Sequence, residues 1–391
     1  MLVATALVMI MTPGLAFFYG GLVSRKNVLT IMMQSYVSMG VSTILWVVVG
    51  YSLCFSGDVG GIIGNLDMAF LRGIEITDLG GLNDTIPLLL FVAYQMMFAI
   101  ITPALITGAF ANRITFKAYL IFLVAWQILV YYPFVHMIWG GGMLADWGVL
   151  DFAGGIVVHA LAGMAALASV IYVGKRGVED AGPHNVPFVA IGAALLWFGW
   201  FGFNAGSELA VDEVTAVAFI NTQIAAAFAA ITWLLLAWRH DGKPSFVEML
   251  IGMIAGLATI TPAAGFVSPQ SAMLIGVAAG AVCYFAVVFR KNKGLDDALD
   301  VWGVHGVGGA LGIVMLGVLA SESIGGQNGL YHGNQDFFVV QLAGLALACV
   351  WAFAFTYGML MMIDKVTPVR VSEEAEAALD VTLHGESAYT D

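Results

Sequence analysis

Eleven stretches of mainly apolar residues follow one another along this chain. They fall near 1–23, 28–54, 87–110, 118–138, 152–173, 186–203, 214–238, 247–264, 271–289, 302–320 and 337–362. A membrane-spanning helix needs about 20 such residues, and each run meets or approaches that length. Composition removes the alternatives. Only 10% of the 391 residues are charged and 60% are hydrophobic, whereas an ordinary soluble domain carries about 25% charged residues. So few charges cannot cover a soluble surface, which excludes a cytosolic enzyme and a disordered chain. Net charge is -12 and no basic run occurs, which argues against a nucleic-acid partner. The expected fold is an all-α polytopic membrane protein of eleven transmembrane helices.

The basic residues orient it. Arg25 and Lys26 follow the first run, Arg113 and Lys117 the third, Lys175 and Arg176 the fifth. Arg239 and Lys243 follow the seventh, Arg290, Lys291 and Lys293 the ninth, and Lys365 and Arg370 the eleventh. That puts 13 of the 14 on one side, with Arg72 alone opposite. The positive-inside rule makes the rich side cytoplasmic, so the N-terminus is expected outside and the C-terminus inside. The chain divides into a transmembrane domain, 1–362, and a polar tail, 363–391. The tail reads equally well as a solvated disordered segment or as a docking and regulatory one. The loop 55–86 holds the pairs Gly60-Gly61 and Gly80-Gly81. No signal peptide is recognisable; the first run begins so abruptly at Met1 that a few residues are expected to precede it. Cys54, Cys283 and Cys349 form no CxxC pair and read as small core residues.

Ionisable groups at membrane depth are costly and point to function. DFAGGIVVH at 151–159 opens the fifth run and DVWGVHGVGG at 300–309 opens the tenth. Each has an Asp at the start and a His further in. At 1.5 Å per residue, His159 lies roughly 11 Å and His305 roughly 7 Å along their helices. The two runs enter from opposite sides, five helices apart. This fits an inverted repeat of helices 1–5 and 6–10, with a site at the repeat interface. A lone His in a membrane helix commonly just bonds a neighbour; two in matching positions, flanked by glycines, point to a shared lumen. Neutral imidazoles offer a donor and an acceptor each and no fixed charge. A bare ion in a dry pore meets a Born penalty of tens of kcal/mol. Such a pore favours a small polar neutral molecule, or a proton travelling apart from its carrier.

Aromatic residues gather where three runs meet the outer face: YQMMFA at 94–99, YYPFVHMIWGGG at 131–142 and LWFGWFGFNAGS at 196–207. Many belong to the interfacial belt of any membrane protein. Aromatic faces also hold cations, by about 2 kcal/mol or more when desolvated, and Ser207 adds a hydrogen-bond acceptor. A small cation able to donate hydrogen bonds suits such a vestibule.

These residues resemble the ammonium transporter (Amt/Mep/Rh) family, in its bacterial and archaeal Amt branch. The likeness covers almost the whole chain. It rests on TPGLAFFYGGLV at 12–23, DFAGGIVVH at 151–159, GWFGFNAGS at 199–207, TPAAGFV at 261–267, DVWGVHGVGG at 300–309 and HGESAY at 384–389. The resemblance implies a homotrimer in the cell (inner) membrane, each subunit with its own pore and no metal or cofactor. By motif, Trp139 and Ser207 would recruit ammonium, with Phe98 contributing. Phe98 and Phe203 would form a phenyl gate, and His159 and His305 would line the pore. Asp151 would support the recruitment site, and Trp200, Tyr131, Phe18 and Thr261 would line vestibule or pore. The tail residues Asp380, His384, Gly385, Glu386 and Tyr389 would belong to a segment that meets PII-type regulators. Three residues depart from the pattern: Tyr94 stands for a common Phe, Ile251 for a common Ser, and Asn112 for an acid.

The implied activity is passage of ammonium nitrogen: recruitment, deprotonation, then ammonia conduction. The main alternative is an ammonium sensor, the membrane part of a larger signalling protein. A passive channel for carbon dioxide or water fits the cation-friendly vestibule less well. An enzyme finds no support, because there is no HExxH, no nucleophile elbow and no carboxylate pair at depth.

Overall fold

The computed structural model describes residues 1–80, 85–178 and 182–389; Gly81 of the long loop lies outside these. Its helices are α1 (Leu2–Leu22), α2 (Val28–Phe55), α3 (Leu88–Ile106), α4 (Phe116–Trp126, continued through Gln127–Tyr131 and Tyr132–Trp139) and α5 (Gly155–Val173). They continue with α6 (Val186–Ala205), α7 (Glu213–Asp241), α8 (Phe246–Ile260), α9 (Pro269–Asn292), α10 (Trp302–Leu319) and α11 (Gln335–Asp364). Ten are long and apolar enough to cross a membrane. The exception is α8, whose 15 residues span roughly 22 Å at 1.5 Å per residue, short of a hydrocarbon core about 30 Å thick.

The chain after α8 extends it in another form. Residues 261–267 turn irregularly and are almost wholly buried. Non-helical backbone survives at membrane depth only where protein satisfies it. Asn221, from α7, does this: its Nδ2 donates to Ala264 O at 2.9 Å and Val267 O at 2.8 Å. The Phe152 N–H adds a bond to Pro262 O at 3.2 Å.

Two helix pairs set the architecture, and both run antiparallel. Along α1 and α6, a Cβ on Gly21 would lie 2.6 Å from Asn185 O, one on Gly14 2.9 Å from Leu195, and one on Gly202 2.6 Å from Leu7. Between α5 and α10 the approach is closer still. A Cβ on Gly163 would sit 2.0 Å from the Gly306 Cα, and one on Gly309 2.6 Å from Gly155 O. In lipid no hydrophobic force drives helices together, so close packing of small residues does. Helices 1 with 6 and 5 with 10 are the equivalents of an inverted repeat, and each crosses its own counterpart.

Both crossing helices also begin with a π turn, Gly155–Ala160 in α5 and Trp302–Gly306 in α10. Leu161 N bonds Ile156 O and Val307 N bonds Trp302 O, five residues back. Such turns are rare and gather at functional sites.

The basic residues converge on one face. Arg176 donates to Asp296 through Nη2 at 2.8 Å, and Arg113 Nη1 lies 3.7 Å from Asp296. The tail folds across this face and docks there. Arg370 Nη1 donates to Val173 O at 2.9 Å and Nη2 to Lys175 O at 2.7 Å, capping the free carbonyls at the end of α5. Asp380, fully buried, accepts from Leu29 N at 3.0 Å and Thr30 N at 2.8 Å. It thereby caps α2 from 350 residues away. Tyr389 Oη pairs with His184 Nε2 at 2.9 Å, and its ring lies 5.0 Å below Arg25. The tail is thus docked through Arg370, Asp380 and Tyr389, while Gly385, Glu386 and Ser387 of the HGESAY segment stay exposed.

Three substitutions test this frame. Gly163→Ala must part the α5–α10 backbones, costing about 1–3 kcal/mol as overpacking does. Gly358→Ala, with open space around it, should be neutral or slightly stabilising; thermal unfolding in detergent compares them. Asn221→Leu keeps the bulk but strands two buried carbonyls. It should cost about 1–3 kcal/mol by the same measurement.

Candidate functional site

A wide cavity of about 580 Å³ opens on the face opposite the basic residues. Trp139, Asp151, Phe152, Ser207 and Glu208 stand in its wall. It narrows to a neck of about 30 Å³ between Phe98, Trp139, Phe152 and Ser207. Below lies an apolar lumen of about 20 Å³, bounded by Phe203, Trp200, His159, His305, Phe18 and Tyr19. A cavity of about 10–15 Å³ suffices for one water, so the lumen admits molecules of that size.

The neck is built from the ends of three helices. Trp139 ends α4, and its Nε1 donates to the backbone carbonyl of Asp151 at 2.8 Å. Its ring meets Phe98 edge-on, centroids 6.0 Å apart. Ser207 donates its hydroxyl proton to Phe203 O at 2.8 Å, which leaves oxygen lone pairs facing the neck. Tyr94 ties the same corner: its Oη lies 2.9 Å from Gly202 O, 3.0 Å from Phe203 O and 3.2 Å from Ser207 Oγ. A Phe at position 94 makes none of these bonds, so the departure noted in the sequence gives the site its own lock.

Phe98 and Phe203 close the floor of the neck. Their ring centroids are 4.4 Å apart with a 39° tilt, and both are buried. His159 lies directly beneath, its ring 5.9 Å from Phe203 and 5.4 Å from Trp200, nearly parallel to each. His159 Nδ1 faces His305 Nδ1 at 3.2 Å, with both rings buried. Neutral imidazole carries one N–H, so one ring donates and the other accepts across this contact. His159 Nε2 has no partner among the described residues.

Asp151 touches none of this through its side chain. Oδ1 accepts from Gly154 N at 2.9 Å and Gly155 N at 2.6 Å; Oδ2 accepts from Ile156 N at 2.8 Å and Val157 N at 3.0 Å. All four amides left free at the start of α5 are met by one carboxylate. The tenth helix looks symmetric in sequence but is capped differently. Asp297 Oδ2 takes Trp302 N at 2.7 Å, while Asp300 pairs with Arg290. Burial pushes the Asp297 carboxyl up to about 6.

Four further expected residues divide three to one. Phe18 and Trp200 line the lumen. Thr261 acts one step back: it accepts from Trp200 Nε1 at 2.9 Å and bonds Asn204 Oδ1 at 3.2 Å, fixing the indole. Tyr131 is not among the residues bounding these three spaces. It lies in a π turn of α4, fully buried, its ring 6.4 Å from Trp126 and 5.9 Å from Tyr132. Ile251 does line the lumen, and Asn112 adopts a left-handed φ of 67°, a conformation Asn tolerates. The sequence did not single out Tyr19, Ile101 and Leu105, which complete the lumen toward the basic face. As apolar or aromatic residues in spanning helices they carry no separate signal.

A sequence model of the Ammonium Transporter Family matches residues 1–389. An ammonium transporter of Bacillus subtilis is 46% identical over 390 residues, covering 98% of this chain and 96% of that protein. The crystal structure of Saccharomyces cerevisiae Mep2 superposes with a TM-score of 0.88 at 33% identity, over 95% of this chain and 86% of that one. A solved sensor Amt protein superposes with a TM-score of 0.90 at 29% identity, over 98% of this chain and 96% of that one. Such a family consists of transporters rather than enzymes, and the chain is a multi-pass membrane protein. With the motifs, the inverted helix pairs and the histidine contact in hand, this chain belongs to the ammonium transporter family.

Proposed function

We propose that the protein moves ammonium nitrogen across the cell membrane, taking up the ion and conducting ammonia. The observation that carries this reading is the succession of wide cavity, aromatic neck, phenyl pair and apolar lumen ending on the His159–His305 contact. Ammonium sheds water against Trp139, Ser207 and Phe98, where the indole face and the Ser207 oxygen replace part of its hydration. The lumen below holds no fixed charge to balance the ion, whose Born penalty there is tens of kcal/mol. The ion therefore gives up its proton near Phe98 and Phe203 to the unpartnered Nε2 of His159, which passes its own Nδ1 proton to His305; ammonia and the proton cross separately, so net charge moves. Potassium has no proton to lose and is refused.

The surrounding architecture follows the same reading. Eleven spans run with the N-terminus outside and the basic face cytoplasmic, α8 with its buried turn making the eighth. Residues 1–362 form the transporting domain and 363–391 a cytoplasmic regulatory tail. The tail, through Asp380, His384, Gly385, Glu386 and Tyr389, offers a place for a PII-type regulator. Subunits assemble as homotrimers in the cell (inner) membrane. A second reading, an ammonium sensor that binds without sustained transport, is favoured by the likeness to the sensor Amt protein.

Currents from proteoliposomes on a solid-supported membrane separate these readings. Sustained charge movement after an ammonium pulse, and none after potassium, is expected. A brief transient independent of lipid-to-protein ratio, with no uptake of nitrogen, would favour the sensor. Replacing both histidines by a small apolar residue, His159→Ala with His305→Ala, opens room for water in the lumen and should weaken the refusal of potassium, seen as a potassium current above background. Intact selectivity and transport in that variant would remove the pair from the mechanism.

A further inference from the structure

Two ionisable groups stand in the wall of the outer cavity, Asp151 and Glu208. They are not equivalent. A carboxylate offers about four lone-pair sites, and Asp151 has four backbone amides on its two oxygens. It has nothing left for an arriving cation. Glu208 directly follows Ser207, is only half-buried, and faces another acid, Asp212. Asp212 is itself engaged, accepting from Thr215 N at 3.0 Å as the cap of α7.

The chain holds Glu208 at this rim. Gly206–Glu208 form a 3₁₀ turn closed by Leu209 N to Gly206 O at 3.0 Å. Leu209 adopts φ +59°, uncommon for a bulky residue, and persists there because its side chain is buried and its carbonyl accepts from Thr85 Oγ1 at 3.3 Å. Two carboxyls in contact repel when both are ionised, and a nearby cation relieves that. A concave wall of low dielectric concentrates the effect.

From this geometry we infer that Glu208 is a further cation-binding residue. Its carboxylate accepts N–H bonds from ammonium in the outer cavity and passes the ion to its neighbour Ser207 and to Trp139 in the same wall. The inference rests on the transport reading for its substrate. Glu208 gathers monovalent cations in general, and selection against potassium belongs to the neck and lumen below.

The test is ammonium concentration dependence in wild type, Glu208→Gln and Glu208→Asp, by current and by calorimetric titration with ammonium chloride. Glu208→Gln should raise the half-saturating concentration about three- to fivefold at low ionic strength, the range of an exposed ion pair. The gap should shrink when N-methyl-D-glucamine chloride raises ionic strength, and Glu208→Asp should recover part of it. Unchanged half-saturation, or a gap indifferent to salt, would overturn the inference. Binding without current in wild type would instead sink the transport reading, and the titration would still decide the role of Glu208.

Discussion

The backbone contact between α5 and α10 is what the rest of the molecule is arranged around. With no Cβ at Gly163 or Gly306, the two helices cross closely enough to bring His159 and His305 within a hydrogen bond. Any side chain at that crossing would widen the lumen and break the imidazole contact together. The same crossing sets the positions of Trp200 and Phe203, which pack on the His159 ring. Helix packing and the imidazole contact therefore share one set of glycines, because in lipid the close approach is itself a main source of helix association.

Charge is handled by a consistent division. Asp151 at the start of α5 is saturated by backbone amides and Asp300 pairs with Arg290. Asp297 caps α10 through Oδ2, and its Oδ1 has no partner among the described residues. None of the three lines the lumen. The lumen is lined instead by apolar side chains, aromatic rings and two imidazoles. An ion placed there would find no charge to offset its desolvation.

The parts of the fold that depend on long periodic or compositional signals were legible in the sequence. Span limits, the one-sided basic residues and the paired histidines follow from runs of many residues or from ionisable groups in apolar surroundings. Single-residue geometry was not. Tyr131 reads as part of an aromatic cluster, and that it is fully buried within a π turn appears only in the structure. Asp151 and Asp300 look alike in their motifs, but the capping duty on α10 has moved to Asp297. The tail could not be resolved between solvated and docked, since its partners, Leu29 and Thr30, lie about 350 residues away. Tyr94 looked like a slight change in a vestibule, and its value appears only with the carbonyls of Gly202 and Phe203 beside it.

The π turns have a consequence for how such a pore can be inherited. A π turn is one residue longer than the α-helical path between the same ends, and one residue corresponds to about 100° of helix rotation. Each histidine sits inside such a turn, so its bearing is offset from that of the helix that follows. Losing one residue from either turn would leave a respectable spanning helix whose histidine points somewhere else.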